Sequence, residues 1–218
     1  GPTGSTSTAL LALPQATAIH GDGVTVAEAQ RRINIVNQRS NVPLTYTLSQ
    51  QKSNGTLDVF GADLTIPKSS FNGTSYASGL VLLEGALHSA NGTFRGGAKT
   101  RQTFTISDGP VIEGSIGVSS SEAGGTFYNE ISNLFVASGG TTPVFQKTYT
   151  GGYGCVLTFG DGVRGRLPSP GNNFVVTYRV GGGANGNISR GVIDQTVLVR
   201  NGGSSQLEAS LQNTTKGS

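Results

Sequence analysis

Methionine and tryptophan are absent from this sequence, and cysteine occurs once, at Cys155. One thiol excludes an intrachain disulfide framework and fits folding in a reducing compartment. A translated chain ordinarily begins with Met, so this one is expected to be a processed product or part of something longer. Charge is also scarce. Only 12% of residues are charged, and 15 Lys and Arg against 12 Asp and Glu leave a net charge of +3. The nearest things to basic clusters, Arg31 with Arg32 and Arg164 with Arg166, have no interleaved aromatic residues to stack bases on, which argues against a nucleic-acid partner. No apolar run approaches the roughly 20 residues needed to cross a bilayer as a helix, so no membrane partner is expected. The opening "TALLALPQATA" lacks the basic flank of a signal peptide.

What the chain has is glycine, 34 of 218 residues, together with Val, Ile, Leu and Phe set among Thr, Ser and Asn. Branched residues suit pleated surfaces, and Gly and Asn suit turns. The expected fold class is mainly β: antiparallel strands and hairpins in one or two small sandwich-like domains, with one short N-terminal helix. That helix is placed on "TVAEAQRRINIVNQ". There Thr25 and Glu28 match a capping box, and Val26, Ala29, Ile33 and Val36 share one helical face. The expected organisation is an N-terminal arm and helix over 1–40, a first β domain over 41–100, a second over 101–200, and a polar connecting tail over 201–218.

From Val42 onward the apolar period is two. Leu44, Tyr46 and Leu48 alternate with threonines, and Phe174, Val176, Tyr178 and Val180 share one face of "NFVVTYRV". "GLVLLEG" is continuous enough to be a strand buried on both faces. Asn-Gly pairs at 54–55, 72–73, 91–92 and 201–202 are expected hairpin turns. Three of them read as Asn-Gly-Thr, which in a Thr-rich chain is better explained by the turns than by glycosylation.

No group of residues assembles into a catalytic centre. His20 and His88 are far apart and in no metal-ligand spacing. Cys155 lies inside a strand, as a small buried hydrophobe would. Asp22 and Asp161 each stand between glycines without the further oxygens a calcium site requires. Asp108, Glu113, Glu122 and Glu130 are scattered. Gly181, Gly183 and Gly186 spell G-x-G-x-x-G, but a strand-like sequence follows where a dinucleotide site needs a helix. The expectation is no enzyme, no cofactor, no metal and no small-molecule substrate.

The stretch "TFGDGVRGRLPSPGNNFVVTYRVGGGANGNI", Thr158 to Ile188, reads as a hairpin. A strand enters a Gly160-Asp161-Gly162 turn, a loop stiffened by Pro168 and Pro170 follows, and a second strand leaves. Arg164 and Arg166 project from the loop, either solvated or as candidate subunit-interface residues that would pair with a neighbour's carboxylate.

This stretch resembles the signature segment of the baseplate J-like, or baseplate wedge, proteins of contractile-tailed bacteriophages. The matching residues are Phe159, Gly160, Asp161, Gly162, Gly165, Pro168, Gly171, Tyr178, Val180, Gly186 and Asn187. "LVLLEGALHS" and "RQTFTISDGPVIEGSIGVS" are similar to strands that precede it in that family. The resemblance implies a structural role in the virion tail baseplate, assembled in the host cytoplasm. Its partners would be copies of itself and other wedge subunits, whose contacts shift on sheath contraction. The alternative is a β-rich receptor- or carbohydrate-binding module of a tail fibre or a virion decoration protein. The absence of Trp and the buried-face placement of most Tyr and Phe weigh against it.

Overall fold

The computed structural model describes residues 4–13, 17–37, 39–51, 62–73, 76–95, 101–203 and 206–217. The protein is mainly β, about half strand, and its strands form two curled sheets. The chain divides into two compact units. One is split, made of Gly4–Ala86 and Gly182–Ser218; the other, Leu87–Gly181, is inserted into it.

In the split unit the strands are β1 (Thr6–Ala12), β2 (Val24–Val26), β3 (Arg32–Asn37), β4 (Val42–Gln50), β5 (Leu64–Ile66), β6 (Phe71–Asn72) and β7 (Tyr76–Glu84). The inserted unit holds β8 (Ala86–Thr93, entering from the split unit), β9 (Thr103–Ile106), β10 (Gly117–Ser120), β11 (Thr126–Ile131), β12 (Val144–Tyr149), β13 (Cys155–Phe159) and β14 (Asn173–Val180). The chain then returns as β15 (Asp194–Asn201) and β16 (Gln206–Asn213).

The split unit is a nine-stranded sheet in the order β3-β4-β7-β1-β16-β15-β2-β5, with β6 on β7. Its core gathers Leu11, Tyr46, Leu48, Leu80, Leu82, Val197 and Leu211. Each large side chain buried there contributes roughly 1.5–3 kcal/mol relative to exposure. "GLVLLEG" is flanked by strands on both sides, and Leu80, Leu82, Leu83 and Glu84 are buried, as its continuous apolar run implies.

Four expectations are corrected here. The N-terminal helix is absent: Thr25 lies in β2, a single 3-10 turn spans Glu28–Arg31, and Ile33 begins the burial pattern of β3. A buried Arg31 explains the outcome. Its side chain donates to the carbonyl oxygens of Leu48 and Ala62, which fixes this turn against β4. The expected N-terminal arm contains β1, a central strand between β7 and β16. The expected C-terminal tail contains β16, which pairs with β15 and β1 and buries Ala209 and Leu211. The domain boundaries therefore fall at 86/87 and 181/182 rather than near 40, 100 and 200.

The inserted unit is a seven-stranded sheet in the order β8-β14-β10-β11-β12-β13-β9, with β11 and β12 parallel. Its core is aromatic. Phe94 stacks on Phe174 with ring centroids 4.5 Å apart and meets Phe159 edge-on at 5.1 Å. Two Asn-Gly pairs turn as expected, Asn72-Gly73 after β6 and Asn201-Gly202 after β15, with Gly73 and Gly202 at positive φ. The pair at 91–92 does not. It lies inside β8, where a Cβ on Gly92 would come within 2.3 Å of the Phe174 ring. The pair at 54–55 and the strand expected around it fall outside the described residues.

Candidate interaction surface on the Gly-Asp-Gly loop

β13 and β14 are not neighbours in the sheet, so the segment between them is not a hairpin. It is a connection over 160–172 that packs on a second loop, 133–142. The turn chemistry expected at its start is present. Asp161 Oδ1 accepts the backbone N–H groups of Val163 and Arg164 at 3.0 and 2.8 Å. These two bonds, with the Arg101 guanidinium 3.3 Å from Oδ2, hold the Asp161 carboxyl below its ordinary pKa.

Glycines let the two loops touch backbone to backbone. Between them, a Cβ on Gly140 would sit 1.9 Å from the carbonyl oxygen of Gly162; within the 160–172 connection, one on Gly160 would sit 2.2 Å from the carbonyl carbon of Gly165. Gly165 N–H donates to Gly139 and Arg166 N–H to Thr142. Gly162, Gly165 and Gly171 all adopt positive φ.

Arg164 donates from Nη1 to the Phe135 carbonyl oxygen at 2.9 Å and lies 4.5 Å from the centroid of the Phe135 ring. Arg101 covers the same ring at 5.6 Å. Arg166 donates from Nε to the Thr141 carbonyl oxygen at 3.2 Å. Among the described residues neither Arg164 nor Arg166 forms an ion pair. Both therefore tie the connection to the 133–142 loop.

Asn133 accepts the Phe135 N–H and caps a 3-10 turn at Leu134–Val136. Leu134 points inward, while Phe135 and Val136 are 62% and 68% exposed and Val163 on the facing loop is 74% exposed. The sequence reading missed Phe135 and Val136. "SNLFVAS" reads as a strand continuation, and only its Asn cap signals a turn.

The far end of the connection is anchored by Glu122, also missed as a site. Its buried carboxylate accepts Ser169 N–H at 2.6 Å, Ser120 Oγ at 3.1 Å and the Tyr128 hydroxyl. Burial alone would raise the Glu122 pKa; the three hydrogen bonds outweigh it and lower it. Burial first, and the same carboxylate second, push the Tyr128 hydroxyl up. Pro168 is buried, and its carbonyl accepts Gln102 Nε2. Gly171 N–H donates to Phe94.

Phe159 and Tyr178 belong to the aromatic side of the inserted unit rather than to its surface. The Tyr178 hydroxyl donates to Asp108 at 2.7 Å, and His88 Nδ1 lies 3.3 Å from the same oxygen. Thus His88, on β8, is partnered with Asp108 while staying part-exposed.

Gly186 and Asn187 are in the other unit, at the return of the chain. Glu84, the last residue of β7, accepts Gly182 N–H at 2.5 Å, and a Cβ on Gly186 would lie 2.8 Å from its carboxyl carbon. The Tyr46 hydroxyl donates to the Gly186 carbonyl oxygen, Asn37 Nδ2 to that of Asn185, and Ser5 Oγ to Asn187. Burial first and the Glu84 charge second push the Tyr46 pKa up to about 12. The triple glycine is a connector closely packed on a buried carboxylate; a single 3-10 turn at Gly183–Gly186 follows, then β15, with no α-helix between them.

Other reactive groups are held in structural settings. Cys155 is buried in β13, and burial pushes its thiol up to about 11. Lys147 is bracketed by Glu113 and Glu130, each at 2.7 Å; these bonds overcome burial and keep the ammonium charged. Among the described residues no group of three or more His, Cys, Asp or Glu is placed to hold a metal, and no helix is long and apolar enough to cross a membrane. No protein-family model matches the chain, and no curated protein matches it.

Proposed function

We propose that this chain is a structural subunit of a contractile-tail baseplate wedge, located in the virion tail and assembled in the host cytoplasm. In this reading it acts by packing against copies of itself and other wedge subunits, and it carries no cofactor and no catalytic centre. The observation that carries the reading is the loop pair 133–142 and 160–172. It is held by backbone-to-backbone glycine contacts and two arginines, and it presents Phe135, Val136 and Val163 to solvent. A stiff loop pair with an exposed aromatic anchor is suited to protein contact, because little freedom remains to be lost on association. The resemblance to wedge proteins falls on the same connection, from Phe159 to Gly171, and on the strand that follows it.

The test is genetic. A virus with this gene disrupted is examined by electron microscopy. Heads with no assembled contractile tails support the reading. Complete tails that fail only to attach to cells would overturn it in favour of a receptor-binding module, which selective binding on a glycan array would then identify.

A further inference from the structure

We infer that the exposed face of the 133–142 and 160–172 loops is a docking site for an apolar segment flanked by carboxylates, supplied by a protein other than this one. The inference rests on the assembly reading above and names the partner chemistry for it. Three exposed apolar side chains, Phe135, Val136 and Val163, are carried by the loop pair that also carries two guanidiniums: Arg164, 4.5 Å from the Phe135 ring, and Arg166, bonded to the Thr141 carbonyl oxygen. Each guanidinium has a single hydrogen bond, to a carbonyl oxygen, and neither forms an ion pair among the described residues. Asp161, the carboxylate of the loop, is committed to two backbone N–H groups and to Arg101. The face therefore offers an apolar anchor and two planar cations with free donors, the complement of a segment that carries Leu- or Phe-like side chains next to Asp or Glu.

Charge also selects the occupant. Two copies meeting through this same face would bring their Arg164 and Arg166 guanidiniums together, so a second copy is disfavoured here, while a carboxylate-bearing partner is drawn in. Preorganisation supports a specific site. Asn133 caps the turn that carries Phe135, and Asp161 fixes the turn that carries Val163, so both anchors are displayed without a partner present.

The test uses the full chain and a defined probe: a soluble peptide of alternating Leu and Glu, with one control replacing Glu by Gln and another replacing Leu by Ser. Binding is followed by amide chemical shifts. The expected result is shifts confined to 133–138 and 161–167 with the Leu-Glu peptide, weakened about tenfold by Phe135→Ser or by either control peptide. Arg166→Gln, which leaves the Arg164 clamp in place, is expected to weaken the Leu-Glu peptide but not its Gln control. Shifts elsewhere, no shifts, or equal binding of the Glu and Gln peptides would overturn the inference. So would concentration-dependent self-association in sedimentation that Phe135→Ser abolishes, because the occupant would then be a second copy. Success here with normal tails after gene disruption would sink the baseplate reading alone; failure here with tails lost would sink this inference alone.

Discussion

Glu122 accepts the backbone N–H of Ser169 at 2.6 Å across 47 residues of sequence. This bond fixes the proline-containing end of the 160–172 connection to the turn after β10, and the Tyr128 hydroxyl and Ser120 share the same carboxylate. Removing the carboxylate strands all three donors. Glu122→Ala is expected to lower the stability of the inserted unit by about 3 kcal/mol, the scale of hydrogen bonds to a buried charge. Chemical denaturation would check this, and a loss under about 1 kcal/mol would mean that the carboxylate does not organise the loop.

Acid should act on the same bonds. The Glu122 and Asp161 carboxyls are both depressed in the folded protein. Their stabilisation is fully present above the ordinary carboxylate range, about pH 4–5, and is lost as pH falls through their folded values. Stability is therefore expected to fall on the acid side, and Glu122→Gln is expected to flatten that fall. Denaturation midpoints from pH 6 to pH 2.5 would show it. Parallel curves for wild type and Glu122→Gln would contradict the assignment.

The two glycines of the Gly-Asp-Gly turn serve different ends. Gly162 has φ of +85° and an open surrounding, its nearest Cβ neighbour being Leu167 at 3.6 Å. Gly160 has no such φ, but a Cβ there would collide with the Gly165 backbone. Gly162→Ala is expected to cost about 1–2 kcal/mol from backbone strain. Gly160→Ala should cost more, since two backbones must separate. Melting curves of the two variants rank them, and the reverse order would show that Gly160 and Gly165 are not in backbone contact.

The last strand gives a third contrast. β16 lies between β1 and β15 and completes the core with Ala209 and Leu211. A chain ending at residue 203 is expected to lose the cooperative unfolding of the split unit. If the shortened protein kept both unfolding transitions, 204–218 would be the dispensable tail that its polarity suggests.

That segment shows how much of the fold was legible. "QLEASLQN" alternates Leu207, Ala209 and Leu211 with polar residues, the same period two that located β4, β13 and β14. It has only three apolar side chains, one of them the small Ala209, among polar neighbours, so composition outweighed period. The helix at 25–37 failed for the opposite reason. A 3-10 turn joining two short strands spaces apolar residues three to four apart, which mimics a helical face. The Gly-Asp-Gly turn was legible because Asp161 acts locally, through N–H groups two and three residues on. The pairing of β13 with β9 and β12, the contacts of Glu122, and the exposure of Phe135 are long-range and left no local pattern. Of the residues singled out beforehand, Arg164 and Arg166 do reach the surface, but each also clamps a neighbouring loop. Gly186 and Asn187 belong to the other unit's buried network.

The role proposed for this chain is to build a tail baseplate. It is tested most directly by electron cryomicroscopy of purified contractile tails from the source virus, with the two units fitted separately. The account predicts density for both units in the ring around the hub, with Phe135 and Val163 buried against a neighbouring protein. Density for the chain only in a distal fibre or on the head, or no density at all in a complete baseplate, would contradict it.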